Sequence, residues 1–98
     1  MNMTPDKQQM KKLRAMCHAL KPVVRIGQHG FSQAVEKELN IALAHHELVK
    51  IKIASEDRAS RDSLVEDITT KAGAVLVQKI GGTATLFKRN TSDPVISL

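Results

Sequence analysis

The chain has 98 residues, of which 42% are hydrophobic and 26% charged, so it suits one compact domain and excludes wholesale disorder. Its one cysteine excludes an internal disulfide framework, and its two phenylalanines, with no Trp or Tyr, are too few for a platform that stacks bases. The net charge of +5 favours a polyanionic partner, and the lack of a long apolar run or secretory pattern predicts a soluble, cytoplasmic protein.

The first third of the chain predicts a helix, a short strand and a tight connection. Thr4 as N-cap and Pro5 as first helical residue begin the helix, and Lys21-Pro22 ends it. Residues 23–26 are mostly β-branched and predict a strand, which residues 27–30 connect to a second helix with Ser32 as N-cap. The predicted inner stripe of that helix is Val35, Leu39, Ala42, Leu43 and His46.

The rest of the chain predicts a strand, a helix and a hairpin. Residues 48–54 alternate, so that Lys50 and Lys52 point away from the apolar side of the strand. A polar turn precedes a third helix with Leu64, Val65, Ile68 and Ala72 inward, and Gly73 is its expected C-cap. Residues 75–80 and 83–87 predict a hairpin around two glycines, and residues 90–98 a loosely held tail.

The element order α-β-α-β-α-β-β predicts an α/β fold. Strand–helix–strand crossovers make parallel strands, and the hairpin adds an antiparallel pair. We therefore expect one domain over residues 4–89, a mixed four-stranded sheet packed with three helices, followed by the C-terminal tail 90–98.

A Gly-x-x-Gly loop at Gly27, Gln28, His29 and Gly30 is the sharpest local motif. It follows a strand and precedes a helix N-terminus, where unpaired N–H groups favour an anion. Glycines permit close approach of a nucleic-acid backbone, as in the clamp of KH domains. An ordinary turn that needs positive φ explains the motif equally well, and the residues alone leave both interpretations open.

The basic residues are concentrated in the first 30 positions. Lys7, Lys11, Arg14 and His18 recur at spacings of four, three and four, which places them along one helix face with Lys12 beside it. The only acid on this helix is Asp6 at its start, whereas the third helix mixes both signs. This pattern favours a binding face over an ordinary solvated face.

No pattern in the chain predicts an active site, a metal site or a cofactor. His45 and His46 are adjacent on a helix and point about 100° apart, so they cannot easily share a metal. Cys17 lies on an apolar stripe and is expected to be a buried structural thiol. We therefore expect neither enzymatic activity nor a small-molecule substrate.

Three ordered segments of the chain form a recognisable pattern. The first segment contains Leu13-Arg14, His18, Leu20, Pro22-Val23 and residues 26–32. The second is residues 47–52, and the third is residues 77–81 with Leu86-Phe87. Together they cover about residues 4–89 and resemble a known family, the CRM (chloroplast RNA splicing and ribosome maturation) domain, and its stand-alone bacterial YhbY-type members. The resemblance implies a fold similar to the C-terminal domain of translation initiation factor 3, and RNA binding in precursors of the large ribosomal subunit.

The resemblance also implies that the glycine loop and nearby basic residues form the RNA surface. The family often has a lysine after the first glycine, where this chain has Gln28, so backbone amides, His29 and Arg25 would have to supply the contacts. The candidate RNA-binding residues are Lys7, Lys11, Lys12, Arg14, Lys21, Arg25, Gly27, Gln28, His29, Gly30, Lys50 and Lys52.

The sequence thus predicts a non-enzymatic RNA-binding protein that binds rRNA of 50S precursors and does not bind membranes. Two alternatives stay open: a module that docks an acidic protein through the first helix, and a DNA-binding domain. We expect a monomer, although the apolar tail residues Val95, Ile96 and Leu98 could pack on their own domain or on a neighbour.

Overall fold

The computed structural model describes residues 4–27, 30–55 and 57–98. These residues form three helices and four strands in the predicted order. Their bounds are α1 Lys7–Cys17, β1 Val24–Ile26, α2 Gln33–His46, β2 Leu48–Ile53, α3 Arg58–Ala72, β3 Val75–Ile80 and β4 Thr83–Phe87.

The four strands form one mixed sheet in the order β1-β2-β4-β3. β1 pairs with β2 in parallel, and β4 pairs antiparallel with β2 on one side and with β3 on the other. An irregularity in β3 between Leu76 and Gln78 shifts its register against β4. The predicted α/β fold is confirmed, whereas the similarity to the domain of initiation factor 3 stays a prediction.

Helices pack on both faces of the sheet. The central strand β2 contributes apolar side chains to both faces, three to one and one to the other. Val49, Ile51 and Ile53 face α2 and α3 in the larger core. Leu48 lies on the opposite face, where a smaller core forms under α1. That smaller core contains Leu13, Cys17, Leu48, Val77, Phe87 and Ile96.

Both ends of α1 differ from the prediction. Asp6, not Thr4, is the N-cap, because its carboxylate accepts from the Gln9 N–H at 2.8 Å while the Gln9 side chain accepts from the Asp6 N–H at 3.0 Å. This reciprocal capping box satisfies two helix-end groups where Thr4 would satisfy one. The helix ends at Cys17, before Lys21-Pro22, because tight turns to Ala19 and Leu20 follow it.

The ends of α2 explain a second difference. Ser32 is the N-cap as predicted, and its Oγ accepts from the Val35 N–H. At the other end Glu47 has a φ of 62°, a left-handed conformation that turns the chain sharply into β2. This turn buries Glu47 completely and leaves His46 exposed, so the expected inward position of His46 is wrong. The α3 C-cap at Gly73, with a φ of 65°, is confirmed.

The buried carboxylate of Glu47 holds the C-terminal tail. Its Oε1 accepts from the backbone N–H groups of Val95 at 2.8 Å and Ile96 at 2.7 Å, and its Oε2 from that of Asn90 at 2.7 Å. The Arg89 guanidinium lies 3.2 Å from Oε1 and also donates to the Ile96 carbonyl. Ile96 is buried in the smaller core, so the expectation of a loosely held tail is wrong.

Among the described residues, no helix combines the length and apolar character needed to cross a membrane.

Candidate nucleic-acid interface

The sheet face that carries α1 leaves a basic strip uncovered on β1 and β2. Arg25 and Lys52 are neighbours in the parallel register, so they point to the same face, and both are exposed. Strands lie about 4.8 Å apart, which brings two cationic side chains close together. Like charges at adjacent positions repel, and an anion bound between them would relieve that repulsion.

Lys50 lies on the same face but makes a structural contact. Its Nζ donates to the backbone carbonyl of Cys17 at 2.8 Å, and its side chain is half-buried. This carbonyl lies at the C-terminal end of α1, where unpaired C=O groups and the helix dipole favour a cation. Lys50 therefore fixes the end of α1 to the sheet, with two further N–H donors on its ammonium group.

The basic stripe of α1 is exposed as predicted. Lys7, Lys11 and Arg14 lie on the helix surface, while Leu13 and Cys17 pack inward on the sheet. Lys12 differs from them because its ammonium group donates to the Ser97 carbonyl of the tail. Since α1 packs on the face that carries Arg25 and Lys52, the stripe and the strip share one side of the molecule.

The opposite side of the sheet has a mixed charge. Throughout residues 4–27, 30–55 and 57–98, the ion pairs are Lys71–Asp67, Lys79–Asp62 and Arg89–Glu47. Two of them involve α3, and the third lies at the tail. None involves a cation of α1 or β1, so the cations on that side are available to an external anion, and their concentration there distinguishes that side from the other.

The described ends of the glycine loop form a tight turn beside Arg25. The Gly30 N–H donates to the Gly27 carbonyl at 3.0 Å, and Gly30 has a φ of 77°, which disfavours other residues. Space would allow a Cβ at Gly27, where no atom lies within 4 Å, and its φ is not in the left-handed range. The fold therefore requires a glycine at position 30 more than at position 27. The predicted contacts of Gln28 and His29 lie outside the described residues.

A cavity of about 880 Å³ lies beneath the loop, on the side of α3. Its lining includes Gly27, Ser55, Asp57 and Ser60. The hydroxyl and backbone N–H of Ser60 donate to the Asp57 carboxylate and lower its pKa, so this group stays ionised at neutral pH. A negative charge there disfavours phosphate inside the cavity. An anion would be better placed on the outer side of the loop, toward Arg25 and Lys52.

The structure thus places most of the predicted site residues on one side of the sheet. Two of them differ from the others because they also make structural hydrogen bonds. Arg25, Lys52, Gly27 and Gly30 lie at one end of the sheet, and the exposed cations of α1 lie on the same face but toward the other edge, where α1 contacts β3. Lys50 and Lys12 also stabilise the fold through backbone carbonyls. The sequence reasoning missed Glu47, whose only local signal is its place between a helix and a strand. No group of three metal-ligating side chains occurs among the described residues.

Comparison with known proteins agrees with this architecture. The CRS1 / YhbY (CRM) domain profile matches residues 6–88. "Probable RNA-binding protein PA4753" of Pseudomonas aeruginosa is 34% identical over 88 residues, covering 90% of this chain and 85% of that protein. An "RNA-binding protein" of Haemophilus influenzae is 35% identical over 85 residues, covering 87% and 86% of the two chains.

A solved structure has the same fold. The solution structure of SAV1595 from Staphylococcus aureus superposes with a TM-score of 0.82 at 23% identity, covering 97% of this chain and 99% of that one. The family match spans all seven helices and strands of the described chain. The chain belongs to the CRS1/YhbY (CRM) domain family.

Proposed function

We propose that this protein is a non-enzymatic, cytoplasmic RNA-binding protein that binds rRNA in precursors of the large ribosomal subunit. The observation that carries the proposal is the set of exposed cations on one side of the sheet that make no ion pair with any described residue, with Arg25 two positions from Gly27. The names of its relatives support RNA as the partner. The ribosomal setting is what the resemblance of the sequence implies.

The chemistry of this surface suits phosphate better than base edges. Lysine and arginine side chains neutralise phosphates, and the first N–H groups of α2, beyond the Ser32 cap, point toward the glycine loop. The chain has two phenylalanines, and Phe87 is completely buried, so aromatic stacking contributes little. Binding of this kind depends strongly on salt, because neutralised phosphates release their counterions.

The test measures RNA affinity against salt concentration for two double variants. Lys11→Ala with Arg14→Ala removes two cations of the α1 stripe, and Arg25→Ala with Lys52→Ala removes the strip on the sheet. Each lost phosphate contact on single-stranded RNA should reduce the slope of log affinity against log salt by about 0.7, so a double variant should lose up to about 1.4.

The matched control removes two exposed cations from the opposite side, by Lys37→Ala with Arg58→Ala. It changes the net charge equally and should keep the parent slope. Equal losses in all three variants would mean that only total charge matters and would contradict the proposed surface. The rRNA assignment is tested by sedimenting a lysate through a density gradient. Co-migration with precursors of the large subunit is expected, and migration only with free protein would contradict it.

A further inference from the structure

A second surface lies where α1 ends, next to the basic strip. It is an apolar groove of about 400 Å³ between the end of α1, the starts of β1 and β2, and the tail. We call it the end groove. It is lined by Met16, Ala19, Leu20, Lys21, Val23, His46, Leu48, Val49, Lys50, Val95 and Ile96.

Two features of the end groove point to a ligand that is flat or apolar and carries negative charge. Val23 and Val95 are apolar, yet each is 55% exposed, and together they form an exposed apolar surface at the groove. The charged groups in the lining are Lys21 and Lys50, and none of its described residues carries a carboxylate. The size of the groove lies within the range of small-ligand sites.

The groove is continuous with the basic strip. Lys50 lines the groove, and Lys52 lies two residues along the same strand and on the same face, about 6–7 Å away. An RNA strand whose phosphates lie on Arg25 and Lys52 would therefore pass Lys50 and reach the groove with its neighbouring nucleotides.

We propose that the end groove receives one unpaired nucleobase of the RNA that is bound on the strip. The inference rests on the proposed function and specifies its substrate class as RNA with a single-stranded or bulged nucleotide. A base that leaves its stack can be held between apolar side chains, here Val23, Leu20 and Val95, without an aromatic platform. Lys21 and Lys50 are placed at the groove to neutralise the phosphate that accompanies the base.

The charges in the end groove oppose the docking of a second copy of this chain. A second copy of this chain that docked through the same groove would bring its own Lys21 and Lys50 against those of the first copy. Such like-charge contacts would oppose the gain from apolar burial. RNA carries the opposite charge, and a strand bound on the neighbouring basic strip would reach the groove.

The experiment compares two RNA hairpins closed by the same non-nucleotide linker, one with a fully paired stem and one with a single bulged purine in the stem, so that the bulge is the only unpaired nucleotide. The protein variants are Val23→Asn with Val95→Asn, which make the groove polar without adding charge. The control is Ile41→Asn, because Ile41 is 51% exposed on α2, outside the groove. Thermal melts confirm folding, and each single groove variant replaces the double variant if the latter melts early.

The parent should bind the bulged hairpin about 10-fold more tightly than the paired one, which is toward the lower end of what stacking on an aromatic ring contributes, because aliphatic side chains hold the base here. The groove variant should lose this preference and keep the parent affinity for the paired hairpin, whereas Ile41→Asn should keep the preference. Fluorescence of 2-aminopurine at the bulge should change on binding to the parent and less on binding to the variant.

Three results would overturn the inference in distinguishable ways. If the parent binds both hairpins with equal, salt-dependent affinity, the groove holds no base but RNA binding stands. If the parent binds neither hairpin, the inference fails together with the proposed function. If sedimentation shows a parent dimer that the groove variant dissociates, the occupant is a second copy of the chain.

Discussion

Replacing Glu47 by Gln should destabilise the protein strongly, although the residue lies outside the proposed RNA surface. Glutamine has the same size and must adopt the same left-handed backbone, so the variant isolates the carboxylate charge and one oxygen. Its amide oxygen can still accept from Val95, Ile96 and Arg89, as Oε1 does, but these bonds would lose the carboxylate charge. Its NH₂ group would replace Oε2 and face the N–H of Asn90, which is also a donor.

The expected loss follows from these contacts. Hydrogen bonds to a charged group contribute about 1.5–3 kcal/mol each, but the tail can detach and expose the unpaired groups to water, which limits the loss. We expect the free energy of unfolding to fall by about 3 kcal/mol, a loss that a domain with a stability of 5–15 kcal/mol survives. For a chain of this length the melting temperature should fall by roughly 12–24 °C.

The direction of the Glu47 pKa shift predicts the pH range in which the carboxylate stabilises the fold. Burial by itself raises the pKa of Glu47, but the N–H groups of Ile96, Asn90 and Val95 and the charge of Arg89 lower it below its ordinary value. A lowered pKa in the folded state means that the carboxylate stabilises the fold fully above its unfolded pKa of about 4.3. This stabilisation is lost as the pH falls through the folded pKa.

The assay is thermal and urea unfolding of the parent and Glu47→Gln from pH 7 to pH 3. The control is Glu38→Gln, an exposed change on α2 that should alter stability by less than about 0.5 kcal/mol. The gap between parent and Glu47→Gln should stay constant from pH 7 to pH 5 and narrow only at lower pH. A Glu47→Gln variant as stable as Glu38→Gln at pH 7 would refute the reasoning.

Two further predictions concern the loop and the end of α1. Gly30→Asp should reduce RNA affinity more than Gln28→Ala, because it places a negative charge beside the proposed phosphate site. Gly30→Asn imposes similar strain at a φ of 77° without charge, so equal affinities of the Asp and Asn variants would show that no phosphate lies there. Lys50→Met keeps the side-chain stem but removes the bond to the Cys17 carbonyl, so unfolding should become easier by about 1–2 kcal/mol. Lys52 donates to no carbonyl of the described residues, so Lys52→Met is the matched control, and calorimetry showing equal melting of the two lysine variants would contradict this role.

Local sequence patterns were sufficient to predict the helices and strands and the exposure of most candidate site residues. Helix and strand periodicity, the Ser32 cap and the Gly73 C-cap involve neighbours within four residues, so the sequence displays them directly. The exposure of Arg25 and Lys52 follows from strand alternation and was predictable in the same way. Their adjacency in the sheet confirms that the two predicted strands pair.

The features that could not be predicted depend on distant parts of the chain. Glu47 contacts residues 42–49 positions away, and its neighbours in sequence resemble those of an exposed acid. The contact that fixes the end of α1 to the sheet comes from Lys50, which lies 33 positions from Cys17. Only the packed structure distinguishes such cations from the ones that remain available to RNA.

The tail contacts described above also bear on how a fragment of this protein should be chosen for study. The family match ends at residue 88, but the donors to the Glu47 carboxylate come from residues 89, 90, 95 and 96. A fragment cut at the family boundary would keep a buried negative charge and remove every side chain and amide that neutralises or bonds it. It would also uncover the smaller core beneath α1 and remove one wall of the end groove. Fragments intended for RNA-binding or structural work should therefore extend through Leu98, and a C-terminal tag is best separated from Ile96 by a flexible spacer.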